Sequence, residues 1–328
     1  MKLTDIRKMT QHFAYSESAA SQDQVRDFLK SMGYDPEGFY QELEMSSPFV
    51  DTHRDTSFSN TQLQLHSHTF YELLFCRSNC GAEYLVGAER YRLQRGDIIF
   101  VPPGVAHRPL LPNAMPEPYK RYVIWLSPDF MNAYAQLLGP SLQEQAAYST
   151  LLRTAGTKWE HLEELFRLGV QEAENQHAGW ESAVVGNTIF LLTQLRRAVA
   201  DRSAAQMAAE KPELLDRLLA YIETHLSEHI SLPETAQKFY ISPSTISQLF
   251  RKKLGVSFYR CVTQHRLIAA KERIAAGTAL EAVAEQVGFS DYSAFYRAFK
   301  QEYGISPRQF RSLQAPSLNP FVEPPAKK

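Results

Sequence analysis

The stretch LPETAQKFYISPSTISQLFRKKLG, residues 232–255, resembles a second stretch, LEAVAEQVGFSDYSAFYRAFKQEYG, residues 280–304. Ala236 and Ala284 lie 48 residues apart, and Gly255 and Gly304 lie 49 apart. Each copy is typical of a short helix with a small residue at its centre, a tight turn and a second helix. Because a small alanine lets two helices cross closely, the pattern predicts two helix-turn-helix modules. The inward positions of the second helices are predicted to be Ile246, Leu249, Phe250, Phe295, Ala298 and Phe299.

Signals for the start and end of helices surround both copies. A serine or threonine followed three residues later by glutamate forms a capping box, and a serine before proline is a favourable helix start. Glycines stand where left-handed C-caps are expected. The signals are Ser231 with Glu234, Thr278 with Glu281, Ser242 with Pro243, and the glycines Gly255, Gly277 and Gly304. Between the modules, residues 257–276 are predicted to form one helix of about 30 Å, close to the roughly 34 Å between successive major-groove faces of B-DNA.

This segment resembles the DNA-binding domain of the AraC/XylS family of transcriptional regulators. The residues that carry the resemblance are Leu232–Ala236, Ile241–Pro243, Leu249–Phe250, Ala284, Gly288–Ser290, Phe295, Phe299–Lys300, Gly304–Pro307 and Phe310–Arg311. The resemblance implies an all-α domain that binds double-stranded promoter DNA and has RNA polymerase as a partner. Residues 211–313 carry 14 Lys/Arg against 10 Asp/Glu, a net charge of +4 that agrees with a polyanionic partner.

The outward faces of the two second helices carry the candidate DNA-binding residues. They are Ser244, Ser247, Gln248 and Arg251 in the first module, and Tyr292, Ser293, Tyr296, Arg297 and Lys300 in the second. The resemblance assigns contacts with bases and phosphates to these same positions. Gln248 has the donor and acceptor that suit adenine, and Arg297 has the paired donors that suit guanine. Arg251 and Lys300 are expected to contact phosphates.

The N-terminal half switches to β-strand signals between residues 47 and 126. Short runs rich in β-branched and aromatic residues alternate with turn residues, which predicts an all-β barrel or sandwich. The runs are ELLFCRS, AEYLV, RYRLQ, DIIFVPP and KRYVIWLS. Two spaced motifs resemble the motif pair of cupins: His66, His68 and Glu72, then Gly96-Asp97, Pro102-Pro103-Gly104 and His107. Because residues i and i+2 share one face of a strand, His66 and His68 are both expected to point into the barrel.

The set His66, His68, Glu72 and His107 admits two interpretations. Three imidazoles and a carboxylate suit a divalent metal such as Mn, Fe, Ni or Zn. The sensor domains of AraC-type regulators also resemble cupins and commonly keep these residues without a metal, at the mouth of an effector pocket. Given the C-terminal segment, we favour a pocket without a cofactor, for a small polar effector such as a sugar. Further candidates for its lining are Phe70, Tyr71, Tyr84, Arg121 and Trp125.

The pattern along the chain predicts two domains with additions. We expect a helical extension at 1–46, a cupin-like sensor and dimerisation domain at 47–201, a linker at 202–212, an AraC-type DNA-binding domain at 213–313 and a disordered tail at 314–328. Residues 128–201 have a helical pattern. The helix near 183–200 has more apolar surface than one contact with the barrel hides, which predicts a homodimer. The residues of that surface are Val184, Ile189, Leu191, Leu192, Leu195 and Val199.

The composition is typical of a globular protein and predicts neither a membrane span nor a secretory signal. The chain has 328 residues, of which 44% are hydrophobic and 22% charged, as in globular proteins. No apolar run is long enough to predict a membrane span, and the first residues lack the apolar segment of a secretory signal. Cys76, Cys80 and Cys261 fit neither a disulfide framework nor a four-cysteine zinc site, which favours a cytoplasmic location.

The sequence as a whole predicts a transcriptional regulator, not an enzyme, whose DNA binding a small molecule controls. The alternative is a cupin metalloenzyme, such as a dioxygenase or an isomerase, fused to a DNA-binding domain. The sequence contains no nucleophile triad, phosphate loop or dinucleotide motif that would favour the enzyme.

Overall fold

The computed structural model describes residues 45–58, 65–138, 151–201 and 212–314. The chain divides into two compact units. One contains the described part of residues 43–224 together with residues 231–261, and the other contains residues 225–230 and the described part of 262–328. The predicted helical extension, linker and disordered tail lie almost wholly outside the described residues, so these boundaries stay predictions.

The described residues form eight strands, and the pairings between them are antiparallel. The larger sheet has the order β1-β7-β2-β5-β8 and the smaller one β4-β3-β6. β2 is therefore an inner strand, with its backbone paired on both sides. The strands are β1 Val50–Ser57, β2 Tyr71–Cys76, β3 Glu83–Val86, β4 Glu89–Arg92, β5 Asp97–Val101, β6 His107–Leu110, β7 Tyr119–Leu126 and β8 Leu151–Arg153.

The inner strands β2 and β5 of the larger sheet are buried on both faces. Successive side chains of a strand alternate, so Leu73 and Phe75 of β2 join one core, whereas Leu74 and Cys76 join another. Helices cover the first core, and Tyr84 of the smaller sheet contributes to the second. Burial on both faces explains the continuous apolar run of β5. The expected β-rich N-terminal region is confirmed, while its closure into a cupin-like barrel stays a prediction.

Three strands were not expected from the sequence. β1 reads VDTHRDTS, in which the buried positions include Thr52 and Ser57, so apolar alternation does not mark it. β6 contains Pro109, which argues against a strand. β8 has only three residues and pairs with β5 at the sheet edge. The expectation that residues 128–201 are helical throughout is therefore wrong at β8.

The first unit also contains helices, and the later ones belong to the first predicted module. Their bounds are α1 Pro128–Leu138, α2 Leu162–Asn175, α3 Trp180–Ala200, α4 Leu214–Thr224, α5 Leu232–Lys238 and α6 Pro243–Leu254, and α7 Phe258–Ala275 begins in this unit and continues into the other. α2 and α3 pack on the first core through Phe166, Val170 and Leu191. Among the described helices, none combines enough length and apolar character to cross a membrane.

The apolar surface predicted on α3 is mostly core of its own chain. Val184, Leu191, Leu192 and Leu195 are buried in the first core, and two further members, Ile189 and Val199, pack against it. The expectation that these side chains are left available for a second copy is therefore wrong, because α2 and the sheet cover them. Phe190 is the large apolar side chain of α3 that faces out, with 51% of its surface exposed. The homodimer itself stays a prediction.

The second unit contains the second predicted module. Its helices are the later part of α7 and α8 Leu280–Gln286, α9 Tyr292–Tyr303 and α10 Pro307–Gln314. Ala284, Phe295, Phe299 and Phe310 are buried in one core cluster. The inward positions predicted for both modules are buried or half-buried, as expected.

Most of the predicted helix caps are confirmed. Ser231 and Ser242 accept hydrogen bonds from the backbone N–H of the third residue after each, and Gly255 and Gly304 end α6 and α9 in the left-handed region. The capping box at Thr278 is wrong, because α8 has Ala279 as its N-cap. The backbone N–H of Thr278 instead donates to the Arg273 carbonyl and closes the end of α7.

Candidate functional site

A buried cluster of two histidines and a glutamate lies between the two sheets. Glu72 is on β2, His107 begins β6, and His68 lies in the segment that leads into β2. The turn Pro102-Pro103-Gly104 fixes this segment, because the backbone N–H of Gly104 donates to the His68 carbonyl at 2.8 Å. Gly104 has a φ of +78°, a conformation that suits glycine. The two sequence motifs therefore meet through their backbones as well as through their side chains.

The three side chains face one another at short range. Oε2 of Glu72 lies 3.3 Å from His107 Nε2 and 3.7 Å from His68 Nε2. Its other oxygen, Oε1, accepts a hydrogen bond of 2.9 Å from the indole N–H of Trp125. All four side chains are buried. The carboxylate is thus held on one side and offers its second oxygen to the imidazoles.

Backbone carbonyls fix the tautomers of both histidines. Nδ1 of His68 lies 2.8 Å from the Phe70 carbonyl, and Nδ1 of His107 lies 2.8 Å from the Val105 carbonyl. A carbonyl oxygen only accepts, so each Nδ1 carries the proton and donates. In the neutral rings, each Nε2 then presents a lone pair towards Glu72. His68 Nε2, His107 Nε2 and Glu72 Oε2 are buried and make no hydrogen bond with any described residue.

Burial and charge set the protonation of the cluster. Burial lowers the pKa of His68, although Glu72 opposes this effect. Burial by itself raises the pKa of Glu72, but the two histidines outweigh it and hold the pKa well below its usual range. The cluster therefore contains a carboxylate at Glu72, which attracts a proton or a cation into the space that it shares with the two imidazoles. An uncompensated set of buried lone pairs and a negative charge is costly unless a cation or a donor reaches it.

These residues fit a divalent cation. The donor atoms of His68, Glu72 and His107 lie within 4.8 Å of one another. Donors around a tetrahedral Zn²⁺ with bonds of about 2.0–2.1 Å lie roughly 3.3 Å apart, and the two measured separations are close to that value. Ligand histidines commonly donate their other N–H to a backbone carbonyl, as both do here. Two histidines and a glutamate also leave a coordination position open.

His66 stands apart from this ligand set. Its backbone pairs with that of His107 through two hydrogen bonds, and its ring centroid is 4.3 Å from that of His107. Its donor atoms do not join the group formed by the other three residues. The structure thus brings together three of the four predicted residues, and His66 supports the strand pairing that positions His107.

The other candidate pocket residues do not all lie on the side of β2 that Glu72 faces. Phe70 stacks on the ring of His68 at 3.9 Å, and Tyr84 is buried with its ring 6.3 Å from that of His107. Arg121 donates to Asp55 at 2.9 Å and to Ser57 at 3.0 Å. Tyr71 does not line this site, because it lies on the opposite face of β2 and stacks on Phe100.

Tyr119 is a site residue that the sequence analysis missed. It is fully buried in the core between the sheets, and its hydroxyl has no hydrogen-bond partner among the described residues. Burial raises the pKa of Tyr119 and that of Tyr84 well above their usual range, so both hydroxyls stay protonated. The alternation of β7 contained the signal, since Tyr119 shares a face with the predicted residue Arg121.

The second helices of the two modules present the predicted polar faces to solvent. α6 begins at the Ser242 cap, and α9 begins at Asp291, whose side chain accepts from the backbone N–H of Ala294 at 2.7 Å. The exposed candidates are Ser244, Gln248, Arg251, Ser293, Arg297 and Lys300, and the half-buried ones are Ser247, Tyr292 and Tyr296. The faces are therefore accessible to a ligand, and contact of each residue with DNA stays a prediction.

Comparison with known proteins identifies the C-terminal segment. The family described as a helix-turn-helix domain matches residues 235–312. The regulatory protein PocR of Salmonella typhimurium is 31% identical over 113 residues, which cover 34% of this chain and 36% of that protein. The transcriptional activator RhaS of Citrobacter koseri is 26% identical over 248 residues, 75% of this chain and 86% of that protein. Residues 235–312 of this chain thus match a helix-turn-helix family, in agreement with the resemblance that the sequence carries.

One solved structure to which this chain is similar is the C-terminal domain of AraT, a response regulator from Geobacillus stearothermophilus. It is 28% identical, with a TM-score of 0.30, and covers 33% of this chain and 88% of that domain. The match with PocR spans only about a third of that relative's length. The match with RhaS extends from the helix-turn-helix segment into the rest of this chain, since it covers three quarters of it.

Proposed function

We propose that this AraC-family protein is a sequence-specific DNA-binding regulator whose activity a small polar molecule controls from the site between its two β-sheets. The observation that supports this function best is a buried polar site with unsatisfied groups, in a chain whose residues 235–312 match a helix-turn-helix family. Buried polar atoms normally have partners, so such a site has the character of a ligand pocket.

The chemistry of the site favours an effector with several hydroxyl or carbonyl groups. The Tyr119 hydroxyl needs a partner, Tyr84 is protonated nearby, and the Glu72 carboxylate is an acceptor. Aromatic rings such as Phe70 and Trp125 supply apolar walls. Few polar groups between aromatic walls are typical of pockets for small metabolites, and a sugar or related molecule satisfies this pattern.

The DNA side of the function rests on the exposed faces of α6 and α9. Two such helices read two segments of the major groove, through Gln248 and Arg297 at base edges and through Arg251 and Lys300 at phosphates. A homodimer would present four such helices, and paired half-sites raise avidity through effective concentration. We take promoter DNA, RNA polymerase and a second copy of the chain as the macromolecular partners.

We also propose, as an alternative, that a divalent ion binds His68, Glu72 and His107. The residues fit it, contrary to the preference that the sequence alone supported. A bound ion would supply Lewis-acid binding of an effector oxygen. The same fit favours the second candidate function, a metalloenzyme fused to a DNA-binding domain, but a relative that matches 75% of this chain is named a transcriptional activator.

The experiment that tests this function is a thermal-shift screen of the full chain against sugars and small metabolites, with and without EDTA, beside elemental analysis of untagged protein. An effector should raise the melting temperature, and Tyr119→Phe should weaken its binding by about tenfold through loss of one hydrogen bond. Tyr134→Phe, which removes a buried hydroxyl in the helix-covered core, is the matched control. Stoichiometric metal with turnover of a substrate would support the metalloenzyme instead.

A further inference from the structure

Arg108 joins the β-rich part of the protein to the first helix-turn-helix module. It follows His107 on β6 and is 8% exposed. Its Nη1 donates to the backbone carbonyl of Leu254, the last residue of α6, at 3.2 Å. Both residues belong to the same compact unit, in which the two sheets and the first module are packed together.

The local chemistry explains why this arginine and this carbonyl meet. The last carbonyls of a helix have no partner within the helix and carry its negative dipole end. α6 stops at Gly255, so the Leu254 carbonyl is one of these groups. Burial lowers the pKa of Arg108, and the described residues give it no ion pair. The helix end is therefore the principal acceptor for a buried guanidinium.

β6 places the two residues on opposite sides. Successive side chains of a strand alternate, so His107 turns into the His68–Glu72–His107 cluster while Arg108 turns towards α6. Only one peptide unit separates them. A displacement of His107 by a bound ligand therefore reaches Arg108 through the shortest covalent connection that the chain offers.

A second arginine binds the start of the helix that precedes this module. Arg90 of β4 binds Asp216 at 3.0 Å and Glu213 at 2.6 Å, at the start of α4, and also binds Glu83 at 2.7 Å on β3. Its side chain is 6% exposed. The smaller sheet, β4-β3-β6, thus binds the start of α4 through Arg90 and the end of α6 through Arg108. The end of α6 is thus coupled to β6 through the hydrogen bond of Arg108.

We propose that β6 is the mechanical link by which occupation of the His68–Glu72–His107 cluster changes the position of α6, with Arg108 as the positioning residue. The proposal rests on the proposed function, because it takes the cluster as the effector site. A ligand or ion that binds His107 Nε2 shifts β6, and Arg108 transmits the shift to the Leu254 carbonyl. The orientation of α6 on DNA then depends on the occupant of the site.

Hydrogen–deuterium exchange of the full chain tests this link without a known effector. Glu72→Gln perturbs the cluster by removing its charge at nearly constant volume. In the wild-type background we expect it to change exchange of the amides near 252–256 by at least about fivefold, the lower range of allosteric coupling. In the Arg108→Met background, which keeps the volume but not the guanidinium, the same perturbation should change exchange there by less than twofold.

Arg153→Met is the matched control, because Arg153 pairs with Asp97 at 3.0 Å in the larger sheet and leaves Arg108 intact. In that background the effect of Glu72→Gln should persist in full. If Glu72→Gln does not fold, His107→Gln replaces it in the same scheme. Equal effects with and without Arg108, or no effect in either background, would overturn the proposal.

DNA affinity measured on the same proteins tests the link through β6 separately from the proposed DNA-binding function. If the wild-type chain binds no specific duplex, the proposed function fails whatever the exchange data show. If specific binding is intact but the exchange effect does not depend on Arg108, the link through β6 alone fails. We expect Arg108→Met to change the affinity for the specific duplex at least fivefold, and Arg153→Met to change it less than twofold.

Discussion

The turns of the two modules place equivalent residues in the left-handed region. Gly288 has a φ of +85° and Tyr240 a φ of +56°, and they are 48 residues apart, as Ala236 and Ala284 are. A Cβ added to Gly288 would collide with the Leu226 carbonyl and with the guanidinium of Arg266. Tyr240 tolerates the same turn because its side chain is 95% exposed. The turn geometry is thus common to both copies, but only the second one requires glycine.

This difference gives a paired prediction on stability. Gly288→Ala should lower the free energy of unfolding by at least about 2 kcal/mol, because it adds backbone strain to a collision. Tyr240→Gly should change it by less than about 0.5 kcal/mol, since relief of strain offsets the greater freedom of glycine in the unfolded chain. Urea denaturation of the two variants beside the wild type measures both values. Equal destabilisation by both changes would contradict the structure of the turns.

Glu223 of α4 gives a prediction on pH dependence. Burial raises its pKa to about 7, against about 4.3 in an unfolded chain. The folded state thus binds this proton more tightly, so its contribution to stability is present below pH 4.3 and is lost as the pH rises through 7. Glu223→Gln should stabilise the protein at pH 8 by about 1–2 kcal/mol and flatten the fall between pH 5 and 8. Thermal melts across that range test it; an unchanged slope in the variant would contradict it.

At the residue scale, the sequence predicted three residues that lie together in the structure, but it also predicted two that lie elsewhere. His68, Glu72 and His107 were predicted from motif spacing, and the structure brings them together. His66 was predicted with them on strand alternation, yet it lies in an isolated bridge with His107, where that alternation does not apply. Tyr71 was placed on the wrong face, because an apolar strand buried on both sides carries no mark of which face is which.

At the scale of elements, α6 and α9 are predicted to read DNA in different ways. Arg297→Ala should weaken binding to the specific duplex by about 1–3 kcal/mol and relax preference at one base position. Arg251→Ala should weaken binding to all duplexes alike and lower the salt slope by about 1, as expected for loss of one phosphate contact. Fluorescence anisotropy between 50 and 200 mM salt distinguishes the two effects.

Arg197→Ala on α3 is the charge-matched control for both changes, since Arg197 is exposed and lies outside the modules. It should leave affinity, base preference and salt slope within error of the wild type. If Arg297→Ala instead weakens all duplexes uniformly, α9 contacts only the backbone of DNA and the assignment of Arg297 to a base is wrong.

The elements that sequence could predict are those with a strong local signal. The helices of both modules have caps and apolar spacing, and β2 to β5 and β7 have apolar runs bounded by turns. β1, β6 and β8 lack such signals because their stability comes from pairing with β7, β3 and β5. Tertiary pairing of this kind overrides local propensity. The cap at Thr278 failed for the related reason that its backbone closes the preceding helix.

At the scale of the whole molecule, the homodimer is the prediction that depends most on α3. Because most of its apolar residues are buried in its own core, the side chain left for a partner is Phe190. We expect sedimentation velocity of the full chain at micromolar concentration to show a dimer. Phe190→Arg should shift it towards monomer, whereas Phe49→Arg, at a similarly exposed phenylalanine outside α3, should not. A monomeric wild type at that concentration would contradict the predicted homodimer.

The contacts that join distant parts of the chain lay beyond sequence reasoning. Arg108 and Leu254 are 146 residues apart, and Arg90 and Asp216 are 126 apart. Each arginine taken alone resembles an ordinary polar residue of a short strand. Only the packing of the smaller sheet beside the first module reveals that they hold helix ends, so a regulatory link could not be predicted without the structure.

We expect the two modules of this chain to act together in recognising a particular DNA sequence. Fluorescence anisotropy of the full chain at about 150 mM salt tests it, with a duplex from its own promoter region and a scrambled duplex of the same composition. We expect at least about 10³-fold tighter binding to the promoter duplex, and loss of most of that ratio when Gln248 and Arg297 are both changed to alanine. Equal affinity for the two duplexes would contradict it.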